Sequence, residues 1–148
     1  MIDLDDINNK IKKGNDIENV LIDIDWKEFE HLISEILKQH DFDIFPNFRF
    51  STKNRYEIDL LAIKNSKIFA IDCKQWRRGR YKISGLKLAI RKQLERCNEL
   101  RKVLVGKYEK IIPLVVTFFE ENIIEYEDVF VVPLWKFNEF LLDHVETY

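Results

Sequence analysis

Glycine and proline are scarce in this chain, four and three among 148 residues, and cysteine is limited to Cys73 and Cys97. That scarcity excludes a collagen-like or low-complexity chain, and 46% apolar with 13% aromatic residues excludes a disordered one. Two cysteines build neither a secreted disulfide framework nor a zinc site. Long hydrophobic runs are missing too. Ile111–Phe119 is among the longest uncharged stretches and is far shorter than the ~20 residues that span a bilayer. The opening residues, Met-Ile-Asp-Leu-Asp-Asp, lack the basic-then-apolar order of a signal peptide. A cytoplasmic protein with no membrane partner is the expectation. Neither sign of charge dominates: 24 basic residues stand against 26 acidic ones, which excludes a globally basic nucleic-acid binder.

No repeat, low-complexity tract or Gly/Ser linker interrupts the chain, so a single domain over 1–148 is expected. Its core spans about 25–119, with an N-terminal extension over 1–24 and a C-terminal strand and helix over 120–148. A chain of 17.9 kDa has enough surface to bury for a real core.

The distribution of charge says more than its total. Residues 1–30 carry a net −5, residues 31–73 are neutral, residues 74–110 carry +10 and residues 111–148 carry −7. One quarter of the chain is thus a basic segment between acidic ones. It reads either as a solvated helix face or as a surface that tracks phosphates.

Periodicity predicts the elements. Residues 3–13 form a short helix with Leu4, Ile7 and Ile11 on one face and Gly14 past its end; Val20–Ile24 reads as extended or irregular. Asp25 and Glu28 have the spacing of a capping box. They introduce a helix to about Gln39, with Phe29, Leu32, Ile33, Ile36 and Leu37 in its apolar stripe. Extended stretches follow at Phe42–Phe50, Tyr56–Ile63 and Lys67–Lys74, the last two joined by a tight turn at Asn65-Ser66. A helix over Ser84–Leu104 turns Leu86, Ile90, Leu94, Cys97 and Leu104 inward. It presents Lys87, Arg91, Lys92, Arg96 and Lys102 outward, and Gly106 stops it. Ile111–Phe119 and Asp128–Val132 are buried strands, and Leu134–Val145 is an amphipathic closing helix. The fold class is α/β: a mixed central sheet flanked by helices in the order α-β-β-β-α-β-β-α. A βαβ unit makes Lys67–Lys74 parallel to Ile111–Phe119.

The hairpin carries the chemistry. With Asn65-Ser66 as its loop, Lys64 faces Lys67, Ile63 faces Ile68 and Asp59 faces Asp72. Facing residues project from the same side of a sheet. Two carboxylates about 5 Å apart repel by about 3 kcal/mol at an effective dielectric of 20, a cost that calls for a cation or a shared proton. Lys74, two residues beyond Asp72, points the same way. The same register sets Glu57 against Lys74, so an ordinary salt-bridged sheet face is the competing reading. Leu61, Ile63, Ile68 and Ala70 continue this face and favour partial burial, which makes unpaired carboxylates costly. Glu30 stands at helical spacing from Trp26, Ile33 and Leu37; it either reaches solvent from the stripe edge or reaches the aspartate pair. Oxygen ligands without histidine suit Mg²⁺ or Mn²⁺, completed by water and phosphate oxygens. A metal-activated water and a nearby lysine are the parts needed to hydrolyse a phosphodiester.

Glu30, then Glu57-Ile-Asp59-Leu-Leu-Ala, then Ile71-Asp72-Cys73-Lys74 resembles the PD-(D/E)XK nuclease superfamily, especially its Mrr-like restriction endonuclease and Holliday-junction resolvase branches. The resemblance covers about Asp25–Phe119 and implies a restriction-endonuclease-like α-β-β-β-α-β core. It implies that Asp59, Asp72 and the backbone carbonyl of Cys73 hold the metal, directly joined or water-bridged by Glu30, and that Lys74 is the catalytic lysine. Ile58 stands where the motif has proline, and Asp72 where Glu is more frequent.

Gln75, Trp76, Arg77, Arg78, Arg80 and Lys82 follow the active strand, and interleaved Arg and aromatic residues contact phosphates and stack on bases. With Lys87 and Arg91 they form the expected nucleic-acid surface. Gln93 reads as a polar helix-surface residue, with a place facing the site as the alternative. A divalent-metal-dependent DNA endonuclease is the leading expectation, directed by DNA structure or by a partner. The alternatives are a non-catalytic nucleic-acid-binding module with the nuclease fold, or a subunit docking a helicase or recognition subunit. A homodimer would use the acidic termini or the tail residues Trp135, Phe137 and Phe140, for which core packing is the competing reading.

Overall fold

The computed structural model describes residues 26–74, 83–117 and 124–145. Helix α1 (Trp26–Gln39) forms on its apolar stripe: Phe29, Ile33 and Leu37 are fully buried. Glu28 in its first turn and Lys38 in its last complement the helix dipole. It ends without glycine. Asp41 takes φ 65°, and the Asp41 and Phe42 amides donate to the carbonyls of Lys38 and Leu37 at 3.0 and 3.2 Å, which is a Schellman closure.

Strands β1 (Asp43–Ser51), β2 (Arg55–Lys64) and β3 (Lys67–Lys74) follow. Helix α2 (Ile83–Val103) then leads to β4 (Lys110–Thr117). β5 (Ile124–Tyr126) and β6 (Val129–Pro133) precede a 3₁₀ turn (Leu134–Lys136) and helix α3 (Phe137–Val145). The six strands form one sheet in the order β1-β2-β3-β4-β6-β5. β3, β4 and β6 are parallel neighbours, and β1, β2 and β5 pair antiparallel. The expected mixed α/β architecture is therefore present.

Two details differ from the sequence reading. Asp128 is not in a strand: Glu127 and Asp128, at φ 51° and 66°, form a two-residue turn that brings in the unanticipated strand β5. Asn65 and Ser66, at φ 52° and 68°, make the same kind of turn where it was expected. The closing helix begins at Phe137 because Leu134–Lys136 winds as a 3₁₀ turn. Pro113, which has no N–H, lies one residue before β6 begins to pair with β4 at Leu114, where β4 is still an edge.

The core has two sides. Phe29, Ile33, Leu37, Leu60, Ala62, Phe69, Ile71, Cys73, Phe137 and Phe140 pack between the sheet and α1 with α3. On the other face α2 contributes Cys97 and Leu100 against Ile58, Leu61, Ile68 and Ala70, and Leu86 and Ile90 against Val115, Val129 and Val131. Phe137 and Phe140 are thus core residues, whereas Trp135 is 46% exposed. The residues 1–25, including the expected 3–13 helix and the Asp25 cap, lie outside the described residues, as do 75–82.

The β1–β2 ribbon exchanges its faces part-way along. Ile44, Leu60 and Ala62 pack on the α1 side, but Phe48, Phe50 and Ile58 pack on the α2 side. Strict alternation would keep Ile58 with Leu60. The register is the same on both sides of the change, and Asn47 and Asp59 are the positions skipped. Asn47 adopts φ 51°, a left-handed conformation that Asn tolerates better than most residues. The ribbon turns over at Asp59.

Candidate active site

Asp59 sits where β2 changes faces and where its pairing with β3 stops. The antiparallel ladder runs from Lys64–Lys67 to Leu60–Ile71 and goes no further. In place of the next backbone acceptor, Asp59 Oδ2 accepts a hydrogen bond from the Cys73 amide at 2.9 Å. A side chain has taken over a strand's bonding, so the site lies at the break in the ladder. The direct Asp59–Asp72 ladder pair expected from the hairpin register is replaced by this side-chain bridge. The two carboxylates still interact, because Asp59 helps raise the pKa of Asp72.

Asp72 is 4% exposed. Its Oδ2 is 3.4 Å from Lys74 Nζ and makes no hydrogen bond among the described residues; its Oδ1 is 4.0 Å from an Arg96 guanidinium nitrogen. Burial pushes the carboxyl up from 3.8 to about 7; Lys74 and Arg96 pull it down and Asp59 adds to the rise. Lys74 keeps 30% of its side chain exposed. The expected Glu57–Lys74 pair does not form. With the ladder broken between them, Glu57 turns to Arg49 at 3.7 Å and Lys74 to Asp72.

Helix α2 closes the α2-side face. Gln93, fully buried, is not the surface residue expected: its Nε2 donates to the carbonyls of Ala70 at 2.8 Å and Leu114 at 3.3 Å. Its Oε1 accepts from Arg96 at 3.1 Å. One amide thereby ties β3 to β4 and aims Arg96 at Asp72. The signal was present in the sequence, since Gln93 falls inside the stripe Leu86–Ile90–Cys97–Leu100.

Cys73 places its thiol in the α1-side core, fully buried. Burial is the main cause of its strongly raised pKa, and Asp59, Asp72 and Glu30 add to it. Glu30, carried on α1, therefore comes near this end of β3. Among the described residues no three His, Cys, Asp or Glu side chains gather as a ready metal cage. The residues fit a hard cation nonetheless: a buried carboxylate oxygen lacks a hydrogen bond beside a second carboxylate, and Mg²⁺ commonly takes only one or two carboxylates.

Of the expected nucleic-acid surface, Gln75, Trp76, Arg77, Arg78, Arg80 and Lys82 lie outside the described residues. Lys87 and Arg91 are exposed on α2, and Lys87 Nζ lies 5.9 Å above the Tyr126 ring.

Residues 25–118 match the nuclease-related domain family. The chain belongs to that family. It lies within the PD-(D/E)XK-like nuclease superfamily, as the order Glu30, Asp59, Asp72, Lys74 suggested. An uncharacterized protein of Archaeoglobus fulgidus is 33% identical over 119 residues, covering 78% of this chain and 88% of the relative. In fold, the chain is similar to the crystal structure of AF1548, a protein of unknown function, with a TM-score of 0.53 and 16% identity. The match covers 73% of this chain and 57% of that one. This nuclease-related domain has, among the described residues, no helix long and apolar enough to cross a membrane.

Proposed function

We propose that this nuclease-related domain is a divalent-metal-dependent endonuclease that hydrolyses phosphodiester bonds in DNA. One observation carries the reading: Asp72 Oδ2 is buried without a hydrogen bond, beside Asp59 and 3.4 Å from Lys74, at the break in the ladder. A structural ion pair would be expected to satisfy its oxygens, because an unsatisfied buried acceptor is costly. Asp59, Asp72 and the Cys73 carbonyl would hold Mg²⁺ or Mn²⁺, with Glu30 acting through water. When bound, the metal supplies a water of lowered pKa and polarises the phosphoryl oxygen.

The chain's own groups do the rest. Lys74 brings a cation to the phosphate, where negative charge builds in the transition state. Arg96, anchored by Gln93, limits repulsion between the carboxylates and DNA. Arg91 and Lys92, exposed on α2, neutralise phosphates along the strand, and the sequence of 75–82 supplies further basic residues for the same task. Contacts of this kind carry little sequence information, so cleavage is directed by DNA structure or by a partner such as a helicase or recognition subunit.

The test is cleavage of labelled single strand, duplex, flap, splayed-arm and four-way-junction DNA with Mg²⁺, Mn²⁺ or EDTA. Asp59→Ala and Lys74→Ala are run beside the wild type. Metal-dependent cutting lost in both variants supports the reading. Binding without cutting under every condition overturns it in favour of a non-catalytic module.

A further inference from the structure

Thr117 is the last residue of β4 and the cross-strand neighbour of Lys74, the last residue of β3. Alternation puts its side chain on the α2 face: Val115 packs there with Ile90 and Val131, and Thr117 is two residues on. Lys74 shares that face with Asp72 by the same rule. Thr117 is 2% exposed, and its Oγ1 is buried with no hydrogen-bond partner among the described residues. A hydroxyl can rotate to donate or accept almost anywhere and is seldom left unsatisfied inside a protein. Valine would fill the same space without that cost.

Lys74 has a matching problem. Its partner here is the unbonded oxygen of Asp72, at 3.4 Å. A divalent cation on Asp72 would neutralise that carboxylate and repel the ammonium, so Lys74 would need another acceptor. The Thr117 hydroxyl is an acceptor on its own face, on the residue paired with it across the sheet.

We propose that Thr117 is a positioning residue: its hydroxyl accepts a hydrogen bond from the Lys74 ammonium once Asp72 is occupied, and so holds the lysine against the scissile phosphate. This rests on the proposed nuclease reading. It makes Thr117 idle in the metal-free protein and engaged in the metal-bound one. A residue kept for packing alone would have no such dependence.

The experiment compares wild type, Thr117→Val and Thr117→Ser. Each is measured for kcat and KM on the best-cleaved DNA with Mg²⁺ and for thermal stability in EDTA. The Lys74 ammonium resonance, assigned by its loss in Lys74→Arg, is followed during Mg²⁺ titration. Valine is expected to lower kcat about tenfold, the worth of one hydrogen bond, with KM unchanged and metal-free stability equal or higher. Serine should restore kcat. The ammonium resonance should shift with Mg²⁺ in wild type and Thr117→Ser but not in Thr117→Val. Unchanged kcat in Thr117→Val, or a loss that serine does not rescue, overturns the assignment and leaves the nuclease reading standing. A wild type that neither binds Mg²⁺ nor cleaves overturns the nuclease reading, and the assignment with it.

Discussion

Replacing Asp72 by Asn should make the metal-free protein more stable at neutral and alkaline pH, although it removes the carboxylate of two ion pairs. The carboxyl titrates near 3.8 in the unfolded chain and at about 7 in the folded one, chiefly because it is buried. Below pH 3.8 it is protonated in both states and behaves much like an amide. As the pH rises from there towards 7, folding must take up a proton to keep the group neutral, and stability is lost steadily. Above pH 7 the loss is complete and levels off. At about 1.4 kcal/mol for each tenfold change in acidity constant, the full cost is about 4 kcal/mol. The Asn variant never incurs it. In a chain of this size 1 kcal/mol moves Tm by about 2–4 °C, so the variant should melt roughly 10 °C above wild type at pH 8 and together with it near pH 4. Urea and thermal unfolding of both proteins in EDTA, at half-unit steps of pH, read this directly. Taking the difference between them cancels the other carboxyls. A variant less stable than wild type at pH 8, or a gap that does not close on acidification, would refute the account of Asp72 as a destabilising buried carboxylate. Adding Mg²⁺ should then raise the stability of wild type and leave the Asn variant unmoved.

Gln93→Leu should cost about 2–3 kcal/mol in denaturant unfolding, because two strand carbonyls lose a donor and Arg96 loses its anchor inside the protein; a neutral result would show that the bridge is dispensable. Asp41→Gly should stabilise the protein by about 0.5–1 kcal/mol, since Asp41 holds φ 65° at the end of α1 and glycine takes that conformation without a Cβ penalty. Cys97, whose thiol burial pushes up to about 12, and the fully buried Cys73 should resist iodoacetamide at pH 8 in the native protein and react only in denaturant. Rapid native labelling at either position, read by mass spectrometry, would contradict the packing of α2 or α1 on the sheet.

Much of the architecture is legible in the chain because the signals are local. The α1 stripe needs only 3.6-residue periodicity, and the β2–β3 hairpin needs only two alternating strands around Asn65-Ser66. Strand β4 shows itself as an unbroken apolar run. The order of Glu30, Asp59, Asp72 and Lys74, with their approximate strand and helix positions, comes from the same reading, as does the belt of positive charge on α2. Alternation also predicts which residues share the Asp72 face of β3.

Other features depend on atoms that are distant in the chain, and only the tertiary structure decided them. Alternation extrapolates a regular ribbon through Asp59; the left-handed Asn47 on the neighbouring strand turns that ribbon over, and the ladder ends. The Asp59 side chain then bonds the Cys73 amide, Glu57 goes to Arg49, and Lys74 goes to Asp72. Gln93 lies in an apolar stripe, but whether a buried amide is tolerable depends on which carbonyls lie opposite it, here one from β3 and one from β4. The burial that raises the Asp72 pKa has the same origin. Residue type sets which groups can bind a cation, whereas desolvation and unpaired oxygens arise only when α2 packs over the break in the sheet.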